Sequence, residues 1–169
     1  LEGDCMAIMG SSGAGKSKLM HLLGALNPPP TDDVFFGPKQ QNLWKMSDAD
    51  LSDFRNRNLG FVFQFHYLLP EFSALENVMM PALISGMERP HAEAQARDLL
   101  QFVGLQHRVN HRPAELSGGE QQRVAIARSV VLKPKLLFGD ELTGNLDSEN
   151  SKKVIDLLLE LNQRFKIAV

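Results

Sequence analysis

Near the start of the chain, Gly10-Ser11-Ser12-Gly13-Ala14-Gly15-Lys16-Ser17 carries the G-x-x-x-x-G-K-S spacing of a phosphate-binding loop. Glycines at those positions let backbone N–H groups converge on phosphate oxygens, and a following helix adds the positive end of its dipole. Lys16 would reach the β- and γ-phosphates, and the Ser17 hydroxyl would ligate Mg²⁺. The bland alternative is a Gly-rich turn that only tolerates positive φ. A second constellation lies far along the chain, where apolar Leu136-Leu137-Phe138 leads into Asp140-Glu141. Two carboxylates at the C-terminal end of a strand stand where ligands sit in open α/β sheets. Asp140 would hold Mg²⁺ through water, and Glu141 would polarise an attacking water. A third is Leu116-Ser117-Gly118-Gly119-Glu120-Gln121-Gln122-Arg123, which reads as a capped helix start. Exposed Ser and Gly amides at a helix N-terminus also suit an anion. Two phosphate-type sites on one chain suggest that a second subunit completes the nucleotide site.

The elements around these residues follow from periodicity. Apolar Met6-Ala7-Ile8-Met9 predicts a short buried strand before the glycine loop, with Cys5 a small buried residue beside it. Leu19, Leu22, Leu23 and Leu26 form one apolar stripe of a helix that Pro28-Pro29-Pro30 ends. Val34-Phe35-Phe36 predicts a small strand, Ser47 with Asp50 caps a helix running to Asn58, and residues 59–63 form a second buried strand. Ser73 with Glu76 caps a helix running to Ile84. Pro90 opens another, with Ala92, Ala96, Leu99, Leu100 and Val103 on one face and Gly104 as its stop. Ser117 with Glu120 caps the helix that Pro134 stops, residues 136–138 form a third strand, and Asp147 caps a last helix. Ile167-Ala168-Val169 starts a further strand. Apolar strands alternating with amphipathic helices mean an α/β fold, a parallel sheet covered by helices. The strandless stretch 65–116 reads as a helical insert between the two parts of the core, 1–64 and 117–169.

Composition excludes other classes. The chain has 169 residues, a net charge of −2 and 43% hydrophobic residues, within the size of one domain. That balance speaks against an electrostatic nucleic-acid binder. A single cysteine excludes a disulfide framework. No apolar run approaches the roughly 18–20 residues that span a bilayer. His66, His107 and His111 share no metal-ligand spacing. The chain opens at Leu1, inside what already reads as structure, and is expected to be a fragment truncated at both ends.

Over essentially its whole length the sequence resembles the ATP-binding subunits of ABC transporters. The phosphate loop, the Leu-Ser-Gly-Gly-Glu signature and the Asp140-Glu141 strand end stand in family order. Gln64 stands at the family's Q-loop glutamine, and Gly144-Asn145-Leu146-Asp147 resembles its D-loop. The resemblance implies a P-loop NTPase core with an inserted α-helical subdomain, using ATP and Mg²⁺. It also implies a head-to-tail homodimer with two ATP molecules at its interface. The nucleotide would meet Gly10, Ser11, Ser12, Gly13, Ala14, Gly15, Lys16, Ser17 and Lys18 of one copy. Ser117, Gly118, Gly119, Glu120 and Asp147 would come from the other. Gln64 would contact Mg²⁺ or the water and sense integral-membrane subunits docked near it and the helical subdomain. Residues 63–78 and 103–113 resemble, more finely, the lipoprotein-releasing (Lol-type) ATPases. That implies a peripheral protein at the cytoplasmic face of the inner membrane. The rival readings are a macrolide-efflux-type or cell-division-type complex, or a soluble ATPase of this class acting on DNA or ribosomes.

Some positions depart from the family pattern. Lys18 stands where Thr is usual, Gly139 where a small apolar residue is usual, and Leu142 where Pro is usual. Gly139 is expected to add backbone freedom and Leu142 to loosen the turn after Glu141. The adenine-stacking aromatic would lie before Leu1 and the switch histidine beyond Val169, so this chain is expected to be weakly active.

Overall fold

The computed structural model describes residues 3–11, 13–28, 34–142, 144 and 147–169. In chain order its elements are α1 (Lys16–Leu23), β1 (Phe35–Phe36), β2 (Gln41–Asn42), α2 (Asp48–Asn58) and β3 (Leu59–Val62). Then follow α3 (Ala74–Ile84), α4 (Arg89–Phe102), α5 (Gly118–Val130), β4 (Leu136–Gly139) and α6 (Ser148–Phe165). β1 and β2 form a small antiparallel pair. β3 and β4 run parallel, with Leu59 opposite Leu136 and Val62 opposite Gly139.

Both strands are covered on two faces, which is why they read as continuous apolar runs. Successive side chains of a strand point to opposite faces. Leu59, Phe61, Leu136 and Phe138 face a cluster built on Ala25, Leu43, Leu51 and Phe54. Val62 and Leu137 face the larger cluster, shared with α3, α4, α5 and α6. Trp44 packs against the smaller cluster. Further along the sheet, Ala168 bridges Leu136 in parallel. Beyond it, the Val169 N–H donates to the Asp4 carbonyl (2.9 Å) and the Met6 N–H to the Val169 carbonyl (2.8 Å). These two bonds are those of a parallel pair.

The expected buried strand at 6–9 is therefore corrected. Residue 6 pairs along one edge, yet Met6 is 77% and Met9 90% exposed, and Cys5 is exposed as well. Hydrogen bonds along an edge do not bury side chains; a packed face does, and among the described residues none covers this segment. The stripe on α1 is corrected likewise. Only Met20 is buried, and Leu19 and Leu23 are each 42% exposed. α1 meets the sheet at its C-terminal end, where a Cβ on Gly24 would stand 2.5 Å from the Phe61 ring. Gly24 also caps the helix, so α1 ends before the prolines, of which Pro29 and Pro30 lie outside the described residues.

The helix starts follow their caps. Ser47 accepts from the Asp50 N–H, Ser73 and Ser117 make full capping boxes with Glu76 and Glu120, and Asp147 accepts from the Asn150 N–H. Each such cap is worth about 1 kcal/mol. Gly104, at φ +74°, turns the chain out of α4, and the Leu105 N–H donates back to the Leu100 carbonyl (2.7 Å).

α5 lies so close to β3 that a Cβ on Gly60 would stand 2.5 Å from the Ser129 carbonyl oxygen. A backbone atom cannot yield as a side-chain end can. Gly60→Ala is expected to cost about 2 kcal/mol of stability, in the range of core overpacking. Urea unfolding monitored by circular dichroism checks this; an unchanged midpoint would mean that α5 is free to shift.

Candidate nucleotide site

The glycine loop turns into α1 through left-handed backbone at Gly13 (φ +80°) and Gly15 (φ +87°), the latter being the residue before the helix. No atom lies within 4 Å of where their Cβ atoms would be, so backbone conformation and not crowding requires glycine. The Lys16 ammonium folds over the loop, donating to the Gly10 carbonyl (2.9 Å) and the Ser11 carbonyl (2.8 Å). The Ala14 N–H donates to the Ser11 carbonyl (3.2 Å). Lys18 is exposed on the first turn of α1, and Ser12 lies outside the described residues.

Ser17, at the start of α1, meets the end of β4. Its hydroxyl donates to Asp140 Oδ1 at 3.1 Å across 123 residues of sequence. A hydroxyl and a carboxylate side by side are the hard oxygen donors that suit Mg²⁺. Asp140 is held there because its own N–H donates to the Val62 carbonyl (3.0 Å), one step past the β3–β4 ladder. Glu141 follows at φ +47° with an exposed side chain, and the Gly144 N–H donates to its carbonyl (3.0 Å). A Cβ on Gly144 would stand 3.2 Å from Gln64 Nε2 and 3.6 Å from Glu141 Oε2. The Q-loop amide and the strand-end carboxylate thus converge on one glycine, from the ends of adjacent strands.

The signature residues form a separate group at the start of α5. Glu120 Oε2 accepts from the Ser117 N–H (2.8 Å), and Oε1 accepts from Arg108 Nε (3.1 Å). The Ser117 amide, first of all, and Arg108 hold the Glu120 carboxyl below the usual carboxylate range. Gly118 has open space around it, while Gly119 is packed under Asn150, whose Oδ1 would lie 3.2 Å from a Cβ there. Asn150 in turn bonds both carboxylate oxygens of Asp147. Asp147 therefore sits beside the signature; of the D-loop stretch, Asn145 and Leu146 lie outside the described residues. Among the described residues, no hydrogen bond joins Ser117 or Glu120 to the glycine loop of the same chain.

Three residues that sequence reasoning passed over organise the segments after Gln64 and after Glu141. Arg128 of α5 donates to the carbonyls of Tyr67 (2.8 Å) and His66 (2.9 Å). Burial lowers its pKa. Asn77, fully buried in α3, accepts from the Leu69 N–H (2.8 Å) and donates to the carbonyls of Leu69, Phe72 and Ser73. Gln122, also buried, donates to the Leu142 carbonyl (3.1 Å). The signal available was polarity out of place: each interrupts an apolar helix face. Tyr67, at φ +46° and 65% exposed, stands over Phe63 in an edge contact.

A glycine loop opening a helix, with a carboxylate from a neighbouring parallel strand on its serine, defines a P-loop ATPase core. The comparisons make this specific. The ABC transporter family profile matches residues 1–144. A curated relative from Geobacter metallireducens, the lipoprotein-releasing system ATP-binding protein LolD, is 55% identical, over 96% of this chain and 72% of its own length. The protein of that name from Idiomarina loihiensis is 53% identical, over 98% of this chain and 72% of its own length. A solved dimeric structure, a post-hydrolysis state of the ATP-binding cassette MJ0796 bound to ADP and Pi, superposes with a TM-score of 0.87. It is 36% identical, over all of this chain and 74% of that one. The chain belongs to the ABC transporter family, as an ATP-binding and ATP-hydrolysing cassette.

His66 gives the site a pH signature. Burial, opposed by a hydrogen bond that the protonated ring donates to Gln121 and helped by the Arg128 charge, lowers its pKa from the usual 6.5. The unfolded chain therefore takes up this proton before the folded one does. The stability contribution is complete above about pH 6.5 and is lost as the pH falls through the folded pKa. Urea midpoints are expected to drop between about pH 7 and pH 5 and to do so less in His66→Gln. Parallel profiles for the two proteins would contradict this.

Proposed function

We propose that this chain is the ATPase subunit of a system that releases lipoproteins from the inner membrane. The substrate is taken from the Lol-type relatives, whose identity extends through nearly the whole chain. The observation that carries the chemistry is the 3.1 Å contact between Ser17 and Asp140. Residues 1–64 and 117–169 are read as the core and 65–116 as the helical subdomain. No helix among the described residues is long and apolar enough to cross a membrane. We place the protein on the cytoplasmic face of the inner membrane, held by integral-membrane subunits docked near Gln64 and the helical subdomain.

In this reading ATP lies on the glycine loop. The backbone amides of 10–17 hold its phosphates, and Lys16 trades its bonds to the Gly10 and Ser11 carbonyls for the β- and γ-phosphates. Ser17, Asp140 and Gln64 would hold Mg²⁺, which offsets phosphate charge when bound. Glu141 accepts the proton of the attacking water, and Gln64 orients that water. Ser117, Gly118, Gly119, Glu120 and Asp147 of a second copy close over the γ-phosphate. The dimeric arrangement of the superposed cassettes supports this pairing.

In the intact protein, Glu141→Gln is expected to lower ATP hydrolysis by about 100-fold or more, within the range of a lost general base, with ATP binding retained. Lys16→Ala is expected to weaken ATP binding itself by tenfold or more. Hydrolysis assays and titration with a fluorescent ATP analogue separate the two. Hydrolysis unchanged in Glu141→Gln would remove that residue from the role of base. Capture of the tagged protein from solubilised membranes is expected to bring two integral-membrane subunits carrying lipoprotein. A cell-division partner, or ribosomes or DNA alone, would overturn the transport assignment.

A further inference from the structure

Gly139 and Leu142 flank the carboxylates at the end of β4 and pack on each other. A Cβ built on Gly139 would stand 2.5 Å from Leu142 Cδ1, 2.8 Å from Cγ and 3.1 Å from Cδ2. The branch of Leu142 thus occupies the space that any side chain at 139 would need. Gly139 does not sit at positive φ, so room, not conformation, favours glycine here: a side chain would force Leu142, which packs against the larger cluster, to turn away. The backbone of Leu142 is held as well, because buried Gln122 of α5 donates to its carbonyl at 3.1 Å. Between these anchors lies Glu141, at φ +47°, a conformation disfavoured for residues with a Cβ. A strained residue persists where its surroundings over-determine it. Gly139 and Leu142 are each expected from sequence to loosen the turn; in the structure the two are in packing contact.

We propose that Gly139 and Leu142 are an interlocked pair of positioning residues that, with Gln122, fix the backbone at Glu141 and so aim its carboxylate. The pair acts through Glu141, so the proposal rests on the reading of Glu141 as the base. Lys16 and the loop glycines lie outside the interlock, and Asp140 inside it keeps its own anchor through the bond from its N–H to the Val62 carbonyl (3.0 Å), so disturbing the pair leaves ATP binding in place and slows the chemical step.

The test is a double-mutant cycle in the intact protein, reading kcat and KM for ATP separately. Gly139→Ala is expected to lower kcat about tenfold or more with KM within about twofold. Adding Leu142→Ala, which clears the space, is expected to return kcat to the level of Leu142→Ala alone. A double variant whose loss is the product of the two single losses, or a Gly139→Ala protein with unchanged kcat, would overturn the interlock. Should Gly139→Ala fail to fold by circular dichroism, folding restored in the double variant supports the clash, and continued failure refutes it. Glu141→Gln, assayed alongside, keeps the two readings apart. If it retains full hydrolysis, the role of Glu141 fails. If it loses hydrolysis while Gly139→Ala does not, only the interlock fails.

Discussion

Everything at the site depends on the parallel register of β3 and β4. With Val62 opposite Gly139, the strand ends deliver Gln64 and Asp140-Glu141 to the same edge of the sheet. The bond from the Asp140 N–H to the Val62 carbonyl carries that register one residue beyond the ladder. A slip of one residue would exchange the two faces. Were β3 to slip, Phe61, now stacked on Phe138 with ring centroids 5.3 Å apart, would turn toward α5. It is too large for a helix that already excludes a methyl group at Gly60. Close packing on one face therefore protects the register, and the register assembles the site.

Helix α5 is the second organising element. Its first residues carry the signature, with Glu120 tied to Arg108 of the helical region. Farther along it, Gln122 reaches the turn after Glu141, and Arg128 clamps the carbonyls of 66 and 67. One helix thus touches the turn after the strand-end carboxylates and the segment after Gln64, and carries the signature. A partner that moved the 65–70 segment would act directly on a body that also carries Ser117. This is a physical connection, and energetic coupling along it is a matter for double-mutant cycles.

Much of this was legible in the sequence because it depends on local rules. The caps at Ser47, Ser73, Ser117 and Asp147 each follow from a side chain three residues before the amide it accepts from. The α4 face and its Gly104 stop follow from the period of 3.6. What failed was burial that needs a distant partner. The apolar residues 6–9 and the α1 stripe have the right pattern, yet pattern states which residues can be buried and not whether a surface arrives to bury them. The internal side of the site was hidden for a related reason. Asn77, Gln122 and Arg128 act on carbonyl groups far away in sequence, and carbonyls carry no sequence signal. The packing of Leu142 against Gly139 was not legible either, because each residue was weighed alone.

The central claim is that the site on one copy is completed by the signature of another. Sedimentation of the intact Glu141→Gln protein with ATP, with and without Ser117→Arg, tests it most directly. The account predicts a dimer with ATP in the first case. In the second it predicts a monomer that still binds ATP, because Ser117 lies outside the loop that holds the nucleotide. A dimer that survives Ser117→Arg, or loss of ATP binding in the monomer, would contradict a site shared between two copies.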